Sequence, residues 1–241
     1  MSAAPAELAV ALSFFDPDAG IHGTVRSGLT ILFHGREASA ERGPAEIERT
    51  DDGWKARAKG DVEITLTPVS DAADLGGVSV SVCSVDGRVG GKKVSGLGTA
   101  AETHRPPEWR ELDLLRAISA VFEPGLAAFA IARRPRSAEE HGSELVTAAL
   151  IEGGELRAPD DTRISTVYDG GGRQHSSGLE LWFPGEDYPR RLFGTVQAGT
   201  SLELEGVAVH AAAFNWRMEG HAGAGLYELT LRREEPEPAA A

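Results

Sequence analysis

Short runs in which apolar and polar residues alternate follow one another along nearly the whole chain. In residues 62–69, Val62, Ile64 and Leu66 fall on one side of an extended strand, and the intervening Glu and Thr residues fall on the other. A period of two is typical of an antiparallel strand with one buried and one solvated face. Gly-, Pro- and Asp-rich turns separate the runs. This spacing predicts an all-β protein built from antiparallel sandwiches or barrels.

The predicted strands extend over most of the chain. Residues 22–33 are interpreted as one strand bent at Gly28, because their apolar positions come in short bursts. The pair Asp86-Gly87 favours a tight hairpin that connects residues 78–85 to residues 88–94. The remaining strands are predicted at residues 8–15, 45–49, 54–58, 62–69, 126–131, 145–151, 163–168, 179–183, 191–196, 207–216 and 226–232.

Residues 112–122, LDLLRAISAVF, fit two interpretations. Helical spacing joins Leu112, Leu115, Ile118 and Phe122, whereas strand spacing also places Ile118 and Phe122 on one face, together with Leu114 and Ala120. Periodicity alone cannot decide between them. We favour a strand, because Glu-Pro-Gly follows as a turn and residues 126–131 supply a returning strand. The alternative is a helix that crosses between two domains.

The length of 241 residues suits two domains of roughly 100–120 residues each. We place an N-terminal β domain at residues 1–98, a junction at residues 99–111 and a C-terminal β domain at residues 112–233. Residues 234–241, EEPEPAAA, have no apolar side chains large enough to bury, so this tail is expected to be disordered.

The two halves also share a weak sequence similarity. In the first half, a predicted strand that contains Trp54 is followed by a strand with the sequence Glu-Ile-Thr-Leu. In the second half, a predicted strand that contains Trp216 is followed by a strand with the sequence Glu-Leu-Thr-Leu. This hints at an internal duplication, although any two amphipathic strands look alike.

Charge and composition exclude several classes of partner. The formal net charge is −13, with 24 Lys and Arg residues against 37 Asp and Glu residues, and no basic face is evident, so a nucleic-acid partner is not expected. The single cysteine, Cys83, excludes an internal disulfide and is interpreted as a small strand residue. No Cys/His cluster has the spacing of a zinc site, and no cofactor is expected. Without a signal peptide or an apolar run long enough to span a membrane, the chain is expected to be cytoplasmic.

The strongest candidate for a site is the segment at residues 94–110, VSGLGTAAETHRPPEWR. It places His104, Glu108 and Trp109 within six residues. A histidine or carboxyl group can donate a proton to an apolar substrate, and an aromatic face can stabilise a developing cation. His104 and Glu108 are therefore the candidate proton donors. The alternative is that this segment is only a rigid linker, stiffened by its paired prolines.

In the layout of most of its length, the chain resembles the two-domain lipocalin-like proteins that include carotenoid 1,2-hydratase, AttH-type proteins and fungal decalin-forming Diels–Alderases. The resemblance rests on FFDPD at residues 14–18 with GTVR at 23–26, on GLG at 96–98 followed by an acidic residue, a histidine and a tryptophan, and on GLYE at 225–228. It implies two lipocalin-like antiparallel barrels or sandwiches in tandem. Relatives commonly carry a Trp-Gly step after the central glycines, where this chain has Pro106-Pro107. Among the polar positions of that segment, the matching residues are Glu102, His104, Trp109 and Arg110.

These observations lead to a predicted ligand and three alternative functions. The leading prediction is the binding of a hydrophobic small molecule of terpenoid, polyketide or lipid type in a barrel or an interdomain pocket, with conversion of that ligand left open. The second is a hydratase, isomerase or cyclase that uses His104 or Glu108, and the third is a noncatalytic association module with an exposed sheet edge. The predicted ligand contacts are Glu102, Trp109, Arg110, Phe122, Trp182 and Trp216.

Overall fold

The computed structural model describes residues 9–138, 143–204 and 206–233, and these residues form β-strands joined by turns and loops. The tail predicted at residues 234–241 lies outside the described residues. The strands are β1 (Ala9–Asp16), β2 (Ile21–Arg26), β3 (Leu29–His34), β4 (Glu37–Arg42), β5 (Glu46–Thr50), β6 (Gly53–Ala58), β7 (Val62–Pro68), β8 (Ala73–Asp74), β9 (Val78–Val89), β10 (Lys92–Thr103), β11 (Leu112–Glu123), β12 (Leu126–Pro135), β13 (Leu145–Glu152), β14 (Glu155–Arg157), β15 (Asp161–Tyr168), β16 (Gln174–Trp182), β17 (Arg190–Leu204), β18 (Val207–Met218) and β19 (His221–Arg232).

The strands form two antiparallel sheets in tandem, each curled into a half-barrel. The N-terminal sheet has the order β4-β3-β2-β1-β10-β9-β7-β6-β5, with the short β8 paired to β9, and the C-terminal sheet has the order β14-β13-β12-β11-β19-β18-β17-β16-β15. In both sheets the first strand pairs with the last one, so β1 lies beside β10 and β11 lies beside β19. The predicted all-β class with two antiparallel sheets is confirmed.

Several local predictions can now be compared with the structure. Residues 112–122 form a strand, and β12 is the returning strand that was expected. Residues 22–33 are two strands and not one bent strand, because Gly28 adopts a φ of 79° and turns the chain between β2 and β3. The hairpin predicted at Asp86-Gly87 was wrong: β9 continues to Val89 and the chain turns at Gly90-Gly91.

The reason lies at Gly87, where β9 passes close to β7. A Cβ atom at Gly87 would lie 2.2 Å from the carbonyl oxygen of Glu63. The missing side chain thus serves close approach between strands rather than a turn, and the two functions of glycine look the same in sequence.

Each sheet encloses a core of its own, and a second layer of apolar residues joins the two sheets. On β2, Ile21 and Val25 belong to the N-terminal core. The alternate residues Thr24 and Arg26 project from the opposite face of the strand. That outer face packs against the C-terminal sheet. Phe15 and Val82 of the N-terminal sheet join Phe129 of the C-terminal sheet in one buried cluster. The two halves therefore share an apolar interface.

A second interdomain cluster extends this contact along the sheets. It joins Ile31 and Phe33 of β3 to Ala211 and Ala213 of β18. In the part of the chain that the structure describes, no helix has the length and apolarity of a membrane span.

Candidate ligand site between the two sheets

A cavity of about 200 Å³ lies between the two sheets and is lined by both. Its lining is mostly apolar, with a few polar groups at defined positions, which is the usual character of a small-molecule site. The N-terminal sheet contributes side chains from β1, β2, β9 and β10, and the C-terminal sheet contributes side chains from β11, β12 and β19. The site therefore exists only when the two halves are packed together.

The cavity is open because small residues face each other in the middle of the interface. In the N-terminal sheet, Ala11 pairs with Ala101 and Ser13 pairs with Thr99. Across the interface, β11 presents small residues of its own. Larger apolar side chains fill the interface around this centre. Interiors are normally close-packed, so a cluster of short side chains leaves space for a ligand.

On β11 the small residues are Ala117 and Ser119, both of which line the cavity. Ala117 pairs with Ile131 of β12 on one side and with Glu228 of β19 on the other. The C-terminal wall of the cavity therefore contains a row of paired residues on three strands. It runs from the apolar Ile131 on β12 through Ala117 on β11 to the charged Glu228 on β19.

An ion pair between Arg26 and Glu228 forms the charged part of the wall. Arg26 Nη1 donates to Glu228 Oε1 at 3.1 Å, and Nη2 pairs with Oε2. Both side chains are largely buried, with 29% and 15% of their surface exposed. Burial by itself would lower the pKa of Arg26, but the attraction of the Glu228 carboxylate outweighs burial and raises that pKa above its usual value. The pair bridges the two sheets.

The predicted segment at residues 94–110 lines part of this cavity with Thr99, Ala101, Thr103 and Pro107, but its candidate proton donors do not line it. Its residues up to Thr103 belong to β10, and Pro107 lines the cavity. His104 is exposed, and its Nε2 lies 3.1 Å from the Ser79 hydroxyl. Glu108 is also exposed. The catalytic roles of His104 and Glu108 stay predictions.

The predicted ligand contacts lie in three other places. Glu102 pairs with Arg49 on the N-terminal sheet. Trp109 is half-buried and Arg110 is exposed. The structure does not place these three side chains in the wall of the interdomain cavity.

The other three predicted ligand contacts are aromatic residues of the C-terminal half. Trp216 is buried in the C-terminal core and stacks on Phe214 at 5.4 Å between ring centroids. Phe122 packs against the same core. Trp182 is half-buried, with the Arg163 guanidinium 5.7 Å from its ring centroid. Their predicted role as ligand contacts stays a prediction, and other residues line the interdomain cavity.

Sequence reasoning missed Arg26 and Glu228 as site residues. Each is the last residue of a short motif, GTVR and GLYE, on which the resemblance rests. Their place at the ends of these two motifs was the one signal in the sequence that could have marked them as site residues. The pairing itself joins residues 202 positions apart, which no local pattern reveals.

Among residues 9–138, 143–204 and 206–233, no group of three His, Cys, Asp or Glu side chains is arranged to hold a metal ion. Cys83 is buried in the N-terminal core, and burial raises the pKa of its thiol to about 12. A thiol with that pKa is not a nucleophile at neutral pH.

Comparison with known proteins places the fold. No protein-family model matches the chain, and a search of the curated proteins also gave no match. Two solved structures are similar over nearly the whole chain. An AttH-type protein from Nitrosomonas europaea matches with a TM-score of 0.61 and 14% identity, covering 92% of each chain. Kievitone hydratase from Nectria haematococca matches with a TM-score of 0.60 and 11% identity, covering 94% of this chain and 89% of that one. The chain therefore shares the fold of these two structures, and the resemblance to AttH-type proteins drawn from the sequence is confirmed at the level of the fold.

Proposed function

We propose that the chain binds an apolar small molecule in the cavity between its two sheets. The observation that carries this proposal is the facing set of Ala and Ser side chains, enclosed by larger apolar residues and bordered by one buried ion pair. The fold shared with a protein named as a hydratase supports a small-molecule ligand as well.

The size of the cavity limits the ligand. A cavity of about 150 Å³ accommodates one benzene molecule, and this one measures about 200 Å³. One ring with a short chain fits inside, or the end of a longer molecule whose remainder leaves through the mouth. Apolar contact supplies the affinity, since each buried CH₂ group contributes about 0.8 kcal/mol.

The Arg26–Glu228 pair favours binding over proton transfer. Both carboxylate oxygens accept hydrogen bonds from the guanidinium, so the side chain is arranged as an acceptor. A group that donates a proton to a ligand must lie within hydrogen-bond reach of it. We therefore assign Glu228 a role in holding the two sheets together at one end of the cavity.

Filling the cavity tests this proposal. Ala117→Leu places three more carbons in the open space, so we expect the free energy of unfolding to stay the same or to rise by roughly 1–2 kcal/mol. An apolar ligand recovered from the parent protein by native mass spectrometry should be absent from the variant.

Thr67→Leu is the control, because Thr67 lies on β7 and is exposed, so a leucine there should leave the bound ligand in place. If Ala117→Leu and the parent retained the same ligand to the same extent, the cavity would not be the binding site.

A further inference from the structure

We infer that the ligand of this cavity is an acid whose carboxylate pairs with Arg133. The inference rests on the proposed function and adds the chemical class of the ligand. Arg133 lies on β12 and lines the cavity.

The guanidinium of Arg133 has carbonyl groups, and no carboxylate, as neighbours in the part of the chain that the structure describes. Its Nη2 atom lies 3.4 Å from the carbonyl oxygen of Leu75 and 3.3 Å from that of Gly76. Within the described residues, no carboxylate lies within 4.0 Å of its guanidinium, and Nε and Nη1 donate to no residue. The two carbonyl groups orient the guanidinium, and no carboxylate of the described residues neutralises its charge.

Several other half-buried arginines of this protein have carboxylate partners, whereas Arg134 and Arg232 have none within 4.0 Å among the described residues. Arg26 pairs with Glu228, and Arg116 pairs with Glu144 at 2.9 Å. Burial lowers the pKa of Arg133, as expected for a cation taken from water without an anion beside it. Removing a cation from water is costly unless it is paired. A ligand carboxylate would supply the missing partner through two parallel N–H···O bonds.

The two charged groups lie at opposite ends of the site. Glu228 pairs with Ala117, which pairs with Ile131, and Arg133 follows two residues later on the same strand. Two strand spacings and two residues of rise separate Glu228 from Arg133 by about 12 Å between Cα atoms. The row between them is apolar. The ligand is therefore an amphipathic acid, with its carboxylate at Arg133 and its apolar body over Ala117 and Ile131.

Three probes with one hydrocarbon skeleton test this inference: 4-phenylbutyrate, 4-phenylbutanol and 4-phenylbutylamine. Calorimetric titration of the full chain should show the carboxylate binding at least about tenfold more tightly than the alcohol, with the amine weakest. In Arg133→Gln, the preference for the carboxylate over the alcohol should fall to within about threefold.

Arg134→Gln is the matched control, because the adjacent residue on the strand points to the other face and carries the same charge. It should retain the full preference. The thermal unfolding midpoint of each variant verifies that it is folded.

The outcomes separate the two proposals. If the parent bound the probes without preferring the carboxylate, or if Arg133→Gln kept that preference, the assignment of an acid would be overturned while the cavity remained a binding site. If none of the three probes bound to the parent, both the proposed function and the acid assignment would be overturned.

Discussion

At the scale of single residues, the Arg26–Glu228 pair joins the two halves of the protein most directly. Leaving one charge of a buried pair without its partner is more costly than removing both. We expect Arg26→Met to lower the free energy of unfolding by roughly 1–3 kcal/mol, below the full effect of a deeply buried pair because part of the guanidinium is exposed. Chemical denaturation measures this change.

The double variant Arg26→Met with Glu228→Leu should regain most of the lost stability, since no charge is then stranded. The control is the exposed pair Arg57–Glu63, whose side chains are 71% and 64% exposed. Arg57→Met should change stability by less than about 1 kcal/mol. Equal effects of the two single substitutions would contradict a special role for the interdomain pair.

His22 gives the protein a defined pH response. Its side chain is buried between the sheets, 2% exposed, close to Gln197 and Asp16. Burial lowers the pKa of His22 below its usual 6.5, although the neighbouring Gln197 side chain and the charge of Asp16 act in the opposite direction. The folded protein thus holds His22 neutral at a pH where the unfolded chain is already protonated.

Stability should therefore fall as the pH decreases through about 6.5, because the unfolded state then binds more protons than the folded state. In His22→Gln, the loss of stability between pH 7 and pH 5.5 should be smaller than in the parent, as measured by denaturation at each pH. His221→Gln, at an exposed position, should lose as much stability as the parent. An unchanged pH profile for His22→Gln would contradict this assignment.

At the scale of elements, β11 illustrates how tertiary context decides an ambiguous sequence. Its residues fit both a helix and a strand, and the pairing with β12 and β19 fixes the strand. The two faces of β11 then have different surroundings. Ile118 and Ala120 belong to the C-terminal core, whereas Ala117 and Ser119 face the cavity. A strand that serves a core on one face and a site on the other contains apolar residues in succession, which is why its alternation was weak.

The contact between β11 and β19 requires a close approach of the two backbones at Gly225. A Cβ atom at Gly225 would lie 1.8 Å from the carbonyl oxygen of Ser119. We expect Gly225→Ala to lower the free energy of unfolding by at least about 2 kcal/mol, because the two strands would have to separate at the edge of the cavity. Thermal unfolding followed by circular dichroism measures the effect.

Gly199→Ala is the comparison, since its nearest neighbour would be the Ala212 Cβ atom at an ordinary 3.5 Å. That variant should differ from the parent by no more than about 1 kcal/mol. A similar loss in both variants would show that the effect comes from glycine in a strand in general and not from the approach to Ser119.

At the scale of the whole molecule, the two sheets share the same strand order. The first strand of each lies beside its last, and the following strands run outward in the same sequence. Trp54 lies on β6, which corresponds by position to β16, whereas Trp216 lies on β18. The tryptophan similarity noted in the sequence therefore joins strands that do not correspond, and the repetition is one of topology.

The sequence by itself determined the all-β class and the two antiparallel sheets, because alternation with a period of two is a local property that survives in any packing. It also contained both short motifs that end in Arg26 and Glu228. Only the tertiary structure decided that these residues meet, that β9 continues through Gly87, and that small residues from both sheets face each other around a cavity. Each of these depends on contacts between distant strands, and the physical reason is the same: a strand pattern shows which face is buried but not which surface covers it.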